Sequence, residues 1–177
     1  MSEELSPQQL EKQGKAAYER ADYLSAAKTF AEAAAAFSAG GESLMAAEMK
    51  NNQSVALLQN KQAQPALEAV SGTEAVFAAA GDLRRQGMAL ANQAAALEAL
   101  RRRDEALACY QTSAEILDKA GAKDLRAEVM RAAAGLQVRG GKMTDAVITM
   151  QSGLMGLEKP TLKQRILKKL LFLRLWR

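Results

Sequence analysis

Apolar residues recur at helical spacing through the first 160 positions, and the pattern repeats every forty residues. Phe30, Val70, Tyr110 and Met150 stand forty apart, as do Phe37, Phe77, Leu117 and Leu157. Gly41, Gly81 and Gly121 keep the same step between apolar runs, where helix C-caps belong. Each unit therefore predicts two antiparallel helices. The first helices are expected over about 7–21, 43–60, 83–101 and 124–139, and the second over about 25–38, 65–79, 105–119 and 145–157. Ser6-Pro7-Gln8-Gln9 reads as a capping box with proline just inside the helix. Leu24, Gln64, Asp104 and Thr144 fall at the expected N-caps of the second helices, with Pro65 next at the first helical position.

Small residues share this register. Gly14, Ser54, Ala94 and Ala134 form one column on the first helices. Ala26, Ala66, Ala106 and Ala146 form a second column, on the second helices, and Ala33, Thr73, Ser113 and Gly153 a third. Narrow side chains at fixed sites let paired helices approach closely, while large ones fill the spaces between. One hairpin cannot bury its apolar face alone, whereas four stacked hairpins can. The expected organisation is an all-α repeat array over 1–159, with units of about 7–40, 41–80, 81–120 and 121–158. A separate helix follows over 160–177.

The stretch GKAAYERADYLSAAKTFAEA (14–33), with Gly14, the Asp22-Tyr23 turn, Ala26, Phe30 and Ala33, resembles the tetratricopeptide repeat. The register over about 7–157 resembles the 40-residue form found in kinesin light chains and SNAP-type adaptors. Leu10, Lys50, Leu90 and Met130 replace the family's early aromatic, and its closing proline is missing. The resemblance implies a right-handed α-solenoid and a non-enzymatic adaptor. Its first helices would line a concave groove that holds a peptide or helix of another protein. Carried onto this chain, the groove positions are Glu11, Lys12, Lys15, Glu48, Asn52, Val55, Gln59, Met88, Asn92, Glu98, Arg131 and Arg139. Asn52 and Asn92 suit an extended backbone best, because an amide donates and accepts at once. Chaperone-binding members clamp a terminal carboxylate with basic and Asn residues. Lys15 and Asn52 lie near such slots, but Glu11, Met88 and Asn92 leave the set incomplete.

Charge adds one contrast. Residues 1–160 hold 18 Lys/Arg against 20 Asp/Glu, a sum of −2, and the last seventeen residues add six cations and no acid to reach +4. A basic body for nucleic acid is therefore not indicated. The alternative kept open is a nucleic-acid-associated regulator using the basic tail and Arg101-Arg102-Arg103. Absence of histidine removes His-based triads, metal ligation and pH switching. Neither a nucleophile–base pair nor a metal set is visible, so no catalysis, cofactor or small-molecule substrate is expected. The lone Cys109 suits a reducing, cytoplasmic setting and reads as a small packed hydrophobe. The polar start MSEELSPQQL predicts no secretory signal, and no run is long and apolar enough to span a bilayer.

The tail, TLKQRILKKLLFLRLWR, follows Pro160 and opens with a capping box at Thr161 and Gln164. Arg174 falls in the column of Gly14, Ser54, Ala94 and Ala134, which a fifth repeat could not accommodate. Leu162, Ile166, Leu170 and Leu173 form a stripe suited to capping the last unit. Leu167, Leu171, Phe172, Leu175 and Trp176 are left over. With Lys163, Arg165, Lys168, Lys169, Arg174 and Arg177 they suit a peripheral contact with an anionic membrane, or a protein partner.

Overall fold

The computed structural model describes residues 5–155, 157, 160–161 and 164–165. These residues form helices α1 (Pro7–Glu19), α2 (Tyr23–Ala39), α3 (Ser43–Gln59), α4 (Ala63–Val70), α5 (Thr73–Ala79), α6 (Leu83–Ala99), α7 (Arg103–Lys119), α8 (Lys123–Arg139) and α9 (Met143–Leu154). There is no strand among them. Helices consecutive in sequence pack on one another except α4 and α5, which each pack against α3 and α6, and α3, α6 and α8 also touch in succession. The architecture is all-helical and compatible with a helical repeat.

One connection is used throughout. A left-handed residue follows the helix end at Ala21, Gly41, Lys61, Gly81, Arg101, Gly121 and Gly141, every twenty residues. The next residue's N–H then bonds back five positions, as in Asp22 to the Ala17 carbonyl and Arg102 to Leu97, both at about 3 Å. The left-handed residue itself donates to the carbonyl three positions back, for example Arg101 to Glu98 at 2.9 Å. This is a Schellman ending, which satisfies carbonyls that a helix end leaves unpaired. The residue that closes it also serves as N-cap of the next helix: the Asp22 carbonyl accepts from Ala26 at 2.9 Å. Three residues thus reverse the chain with few backbone groups left over.

That economy shifts the second helices two residues earlier than the sequence predicts. N-caps fall at Asp22, Gln62, Arg102 and Lys142, and Asp104 and Thr144 lie within the first turn instead. Pro65 occupies the third helical position of α4. The helix expected over 65–79 is also broken. Ser71 (φ −57°, ψ 129°) and Gly72 (φ 80°, ψ −7°) form a type II turn between α4 and α5. The Ser71 hydroxyl donates to the Leu67 carbonyl and the Thr73 hydroxyl to that of Val70, each at 2.7 Å. The Leu67 carbonyl also accepts the Ser71 N–H at 3.1 Å, so the hydroxyl reinforces that bond, while the Thr73 hydroxyl pairs with a carbonyl at the break itself.

All members of the three small-residue columns are buried. Gly14 shows why the first must be narrow: a Cβ there would lie 2.7 Å from the Phe30 ring. Phe30, Phe37, Phe77 and Leu117 fill the gaps between helices. Burying each contributes about 1.5–3 kcal/mol. At the start of α1, Ser6 and Gln9 exchange bonds of 2.8 and 3.2 Å as a capping box.

Ala106 is fully buried. Ala106→Leu should lower unfolding free energy by about 1–3 kcal/mol through overpacking, measured by urea denaturation. Lys61 is exposed and pays for a left-handed backbone (φ 59°) that glycine adopts freely. Lys61→Gly should therefore raise stability by about 0.5–1 kcal/mol in the same assay.

Candidate functional site

Helices α3, α6 and α8 present the same phase of the repeat along one side. Three polar contacts tie them, each spanning one unit in sequence. Arg85 of α6 donates to Glu48 of α3 at 3.0 Å. Asn92 of α6 donates to Asn51 of α3 at 3.1 Å. Arg139 at the end of α8 pairs with Glu98 near the end of α6.

A cleft of about 420 Å³ along α1 is bordered by Glu11, Lys12 and Lys15. Between α3 and α6 lies a larger one, of about 530 Å³. Met45, Val55, Phe77 and Met88 supply its apolar lining, and Asn51, Asn52 and Asn92 its amides. Glu48, Arg84 and Arg85 stand at the same cleft. A third, of about 250 Å³, is bounded by Lys15, Tyr18 and Glu19 of α1, Phe30 of α2, and Asn52 and Val55 of α3. Asn52 and Val55 border both of the last two, so these clefts adjoin along α3 and together make a recess with walls from α1, α3 and α6.

The structure thus brings Lys15, Glu48, Asn52, Val55, Met88 and Asn92 together, with Lys12 close by along α1. It leaves Gln59 exposed outside these clefts. Arg131 is likewise exposed on α8. Glu98 and Arg139 neutralise one another as a surface pair. Of the tail positions, Arg165 is described and exposed. Lys163, Lys168, Lys169, Phe172, Arg174, Trp176 and Arg177 lie outside the described residues. Thr161 and Gln164 exchange the expected capping bonds, at 2.7 and 3.3 Å.

Asn51 was not apparent as a site residue. It is buried, donates to the Ala47 carbonyl at 2.9 Å and to the Thr73 hydroxyl at 3.0 Å, and accepts from Asn92. This network fixes the break at Ser71–Gly72 to the wall of the cleft. It also holds the Asn92 side chain in place, while Asn52 makes no such bond and remains available. The one signal in the sequence is the Asn51-Asn52 pair, in which adjacent amides on a helix must face different surroundings.

Electrostatics are local. Arg85 bonds both Asp82 (2.7 Å) and Glu48, and its guanidinium carbon lies 5.6 Å from the Phe77 ring centre. The Asp82 carboxylate accepts from the Arg85 backbone N–H at 2.9 Å, and this bond, with the Arg85 side chain, holds its pKa below the ordinary value. Tyr110 donates to Glu98 at 3.1 Å, and burial, then the Glu98 charge, pushes its phenol up. Burial likewise raises the Cys109 thiol, reinforced by Glu105 and Glu74. A thiol held protonated is a poor nucleophile. Arg102 is engaged by Glu105 in two bonds of 2.7 and 2.6 Å, and Arg101 occupies a left-handed turn position. Among the described residues no group of acidic and sulfur side chains is arranged to hold a metal. No described helix is long and apolar enough to cross a membrane. Compared with protein-family models and with curated proteins, the chain matches none.

The Asp82 cap gives a pH signature. A carboxyl whose folded pKa is depressed stabilises above its unfolded pKa, and that contribution is lost as pH falls through the folded value. Asp82→Ala should cost about 1 kcal/mol at pH 7. The gap from the parent chain should close below about pH 4, as followed by urea unfolding across pH.

Proposed function

We propose that this chain is a tetratricopeptide-like adaptor, a right-handed solenoid of four helical hairpins that holds a segment of another protein in the recess across α1, α3 and α6. The observation that carries this reading is the meeting of Asn52 and Asn92 with Val55 and Met88 in one cleft. Such a surface has what an extended or helical segment needs: amides for backbone groups and an apolar floor for side chains. The cations at Lys15 and Arg84 and the acid at Glu48 set charge preferences along it. The forty-residue register and the repeated Schellman turns support the family resemblance. The weak nucleophile at Cys109 and the engaged Arg102 favour binding over chemistry, and protein over nucleic acid. A cytoplasmic setting is the compartment proposed.

A pull-down with immobilised full-length chain tests this, comparing the parent with Asn52→Ala, Asn52→Ala/Met88→Asp and an Arg101→Ala/Arg103→Ala control. Captured protein should fall several-fold with Asn52→Ala and be lost with the double change, since each hydrogen bond is worth about 1 kcal/mol and a buried charge costs more. The control should bind as the parent does. Equal capture by all four, with unchanged circular dichroism, would remove the recess as the binding surface. Nuclease-sensitive capture lost only in the control would favour the nucleic-acid reading.

A further inference from the structure

Most charges around the recess are already paired. Lys15 bonds Glu11 on its own helix at 2.5 Å, and Arg85 is shared between Glu48 and Asp82. Two exposed side chains on the border are left over: Glu19 where the recess meets α1, and Arg84 where it meets α6. Glu19 makes no hydrogen bond or ion pair among the described residues. Arg84 acts only at longer range, on an Asp82 carboxylate that Arg85 already bonds.

These two groups stand at opposite corners. Glu19 ends α1, whereas Arg84 is the second residue of α6. Asn51 with Asn92, and Glu48 with Arg85, pair at nearly matching positions of the repeat, so α3 and α6 run parallel and in step. Glu19 shares its register with Ala99, fifteen positions beyond Arg84 on α6. At about 1.5 Å per residue that is roughly 22 Å along the helices. Two sideways steps of about 8–10 Å bring the diagonal to roughly 28 Å. Val55, Asn52 and Met88 lie between the corners, in that order of register.

We infer that the recess takes an extended segment with a cationic residue at the Glu19 corner and a carboxylate at the Arg84 corner, about eight residues apart, and apolar side chains between them. The inference rests on the recess being the binding surface. An extended chain rises about 3.3 Å per residue and so covers the diagonal in about eight. Its backbone groups are unpaired and can meet the Asn52 amide, whereas a helical segment has already paired its own. Val55 and Met88 then meet apolar side chains at its middle. The amide both donates and accepts, so it serves either chain direction. What the corners exclude is a segment with like charges at both ends, because one end would then meet its own sign.

Selection of random phage-displayed peptides on the full-length chain, followed by fluorescence anisotropy with a selected peptide, tests this. Selected sequences should pair a Lys or Arg with an Asp or Glu about eight positions apart. Arg84→Glu should weaken binding about three- to tenfold. The same peptide with its carboxylate changed to Lys should regain affinity on that variant and lose it on the parent. Glu19→Lys should behave in the same way toward the cationic position. Both side chains are exposed, so circular dichroism should not change. Binding that needs Asn52 and Met88 but shows no such exchange would overturn the charge order and leave the recess standing as the binding surface. No selected peptide, or peptides bound equally by Asn52→Ala/Met88→Asp, would overturn both.

Discussion

A three-residue reversal recurring every twenty residues constrains everything else in this protein. Because the residue that closes one helix opens the next, successive helices are held close together and reverse direction with little slack. Helices so connected pack closely on one another, and their line of contact must be narrow. The buried columns of Gly, Ala, Ser and Thr satisfy that requirement. Size outranks polarity there: the Ser54 hydroxyl is buried without a hydrogen-bond partner among the described residues, whereas Ser113 in another column donates to the Gly87 carbonyl at 2.7 Å. The recurring turn also carries a cost, since Ala21, Lys61 and Arg101 adopt a conformation better suited to glycine.

Regular packing leaves the first helices' outer side as a surface on which polar residues vary freely. There the chain departs from uniformity. The type II turn at Ser71–Gly72 splits one helix and brings Thr73 to Asn51, which in turn positions Asn92. Arg85 braces the same region through Glu48, Asp82 and Phe77. The cleft of about 530 Å³ between α3 and α6 lies beside this perturbation of the repeat. The buried network there joins the broken helix to one wall of the cleft through Thr73, Asn51 and Asn92.

Much of this was legible in the residues. Forty-residue spacing of Phe37, Phe77 and Leu117, with glycines at 41, 81 and 121, located the helices and the turns between units. Four residues each suffice to show the capping boxes at Ser6 and Thr161. Turns within units were harder to place, because Ala21, Lys61 and Arg101 carry no glycine signal for the left-handed conformation they adopt. Asp104 and Thr144 looked like caps by chemistry but lie two residues inside, since the Schellman ending satisfies the backbone without them. The groove positions divided similarly. Asn52, Val55, Met88 and Asn92 converge, whereas Arg139 and Glu98 satisfy one another instead.

Periodic patterns are properties of sequence, because each helix repeats the same local rules. The amino-acid chain alone therefore determined an all-helical body, its forty-residue register, its narrow columns and its contrast with the cationic tail. Only the tertiary structure decided which amide is buried and which is available, where the second unit's helix breaks, and which charged groups pair across units. Those outcomes depend on residues 22 to 41 positions apart meeting in space, and no local rule encodes that meeting.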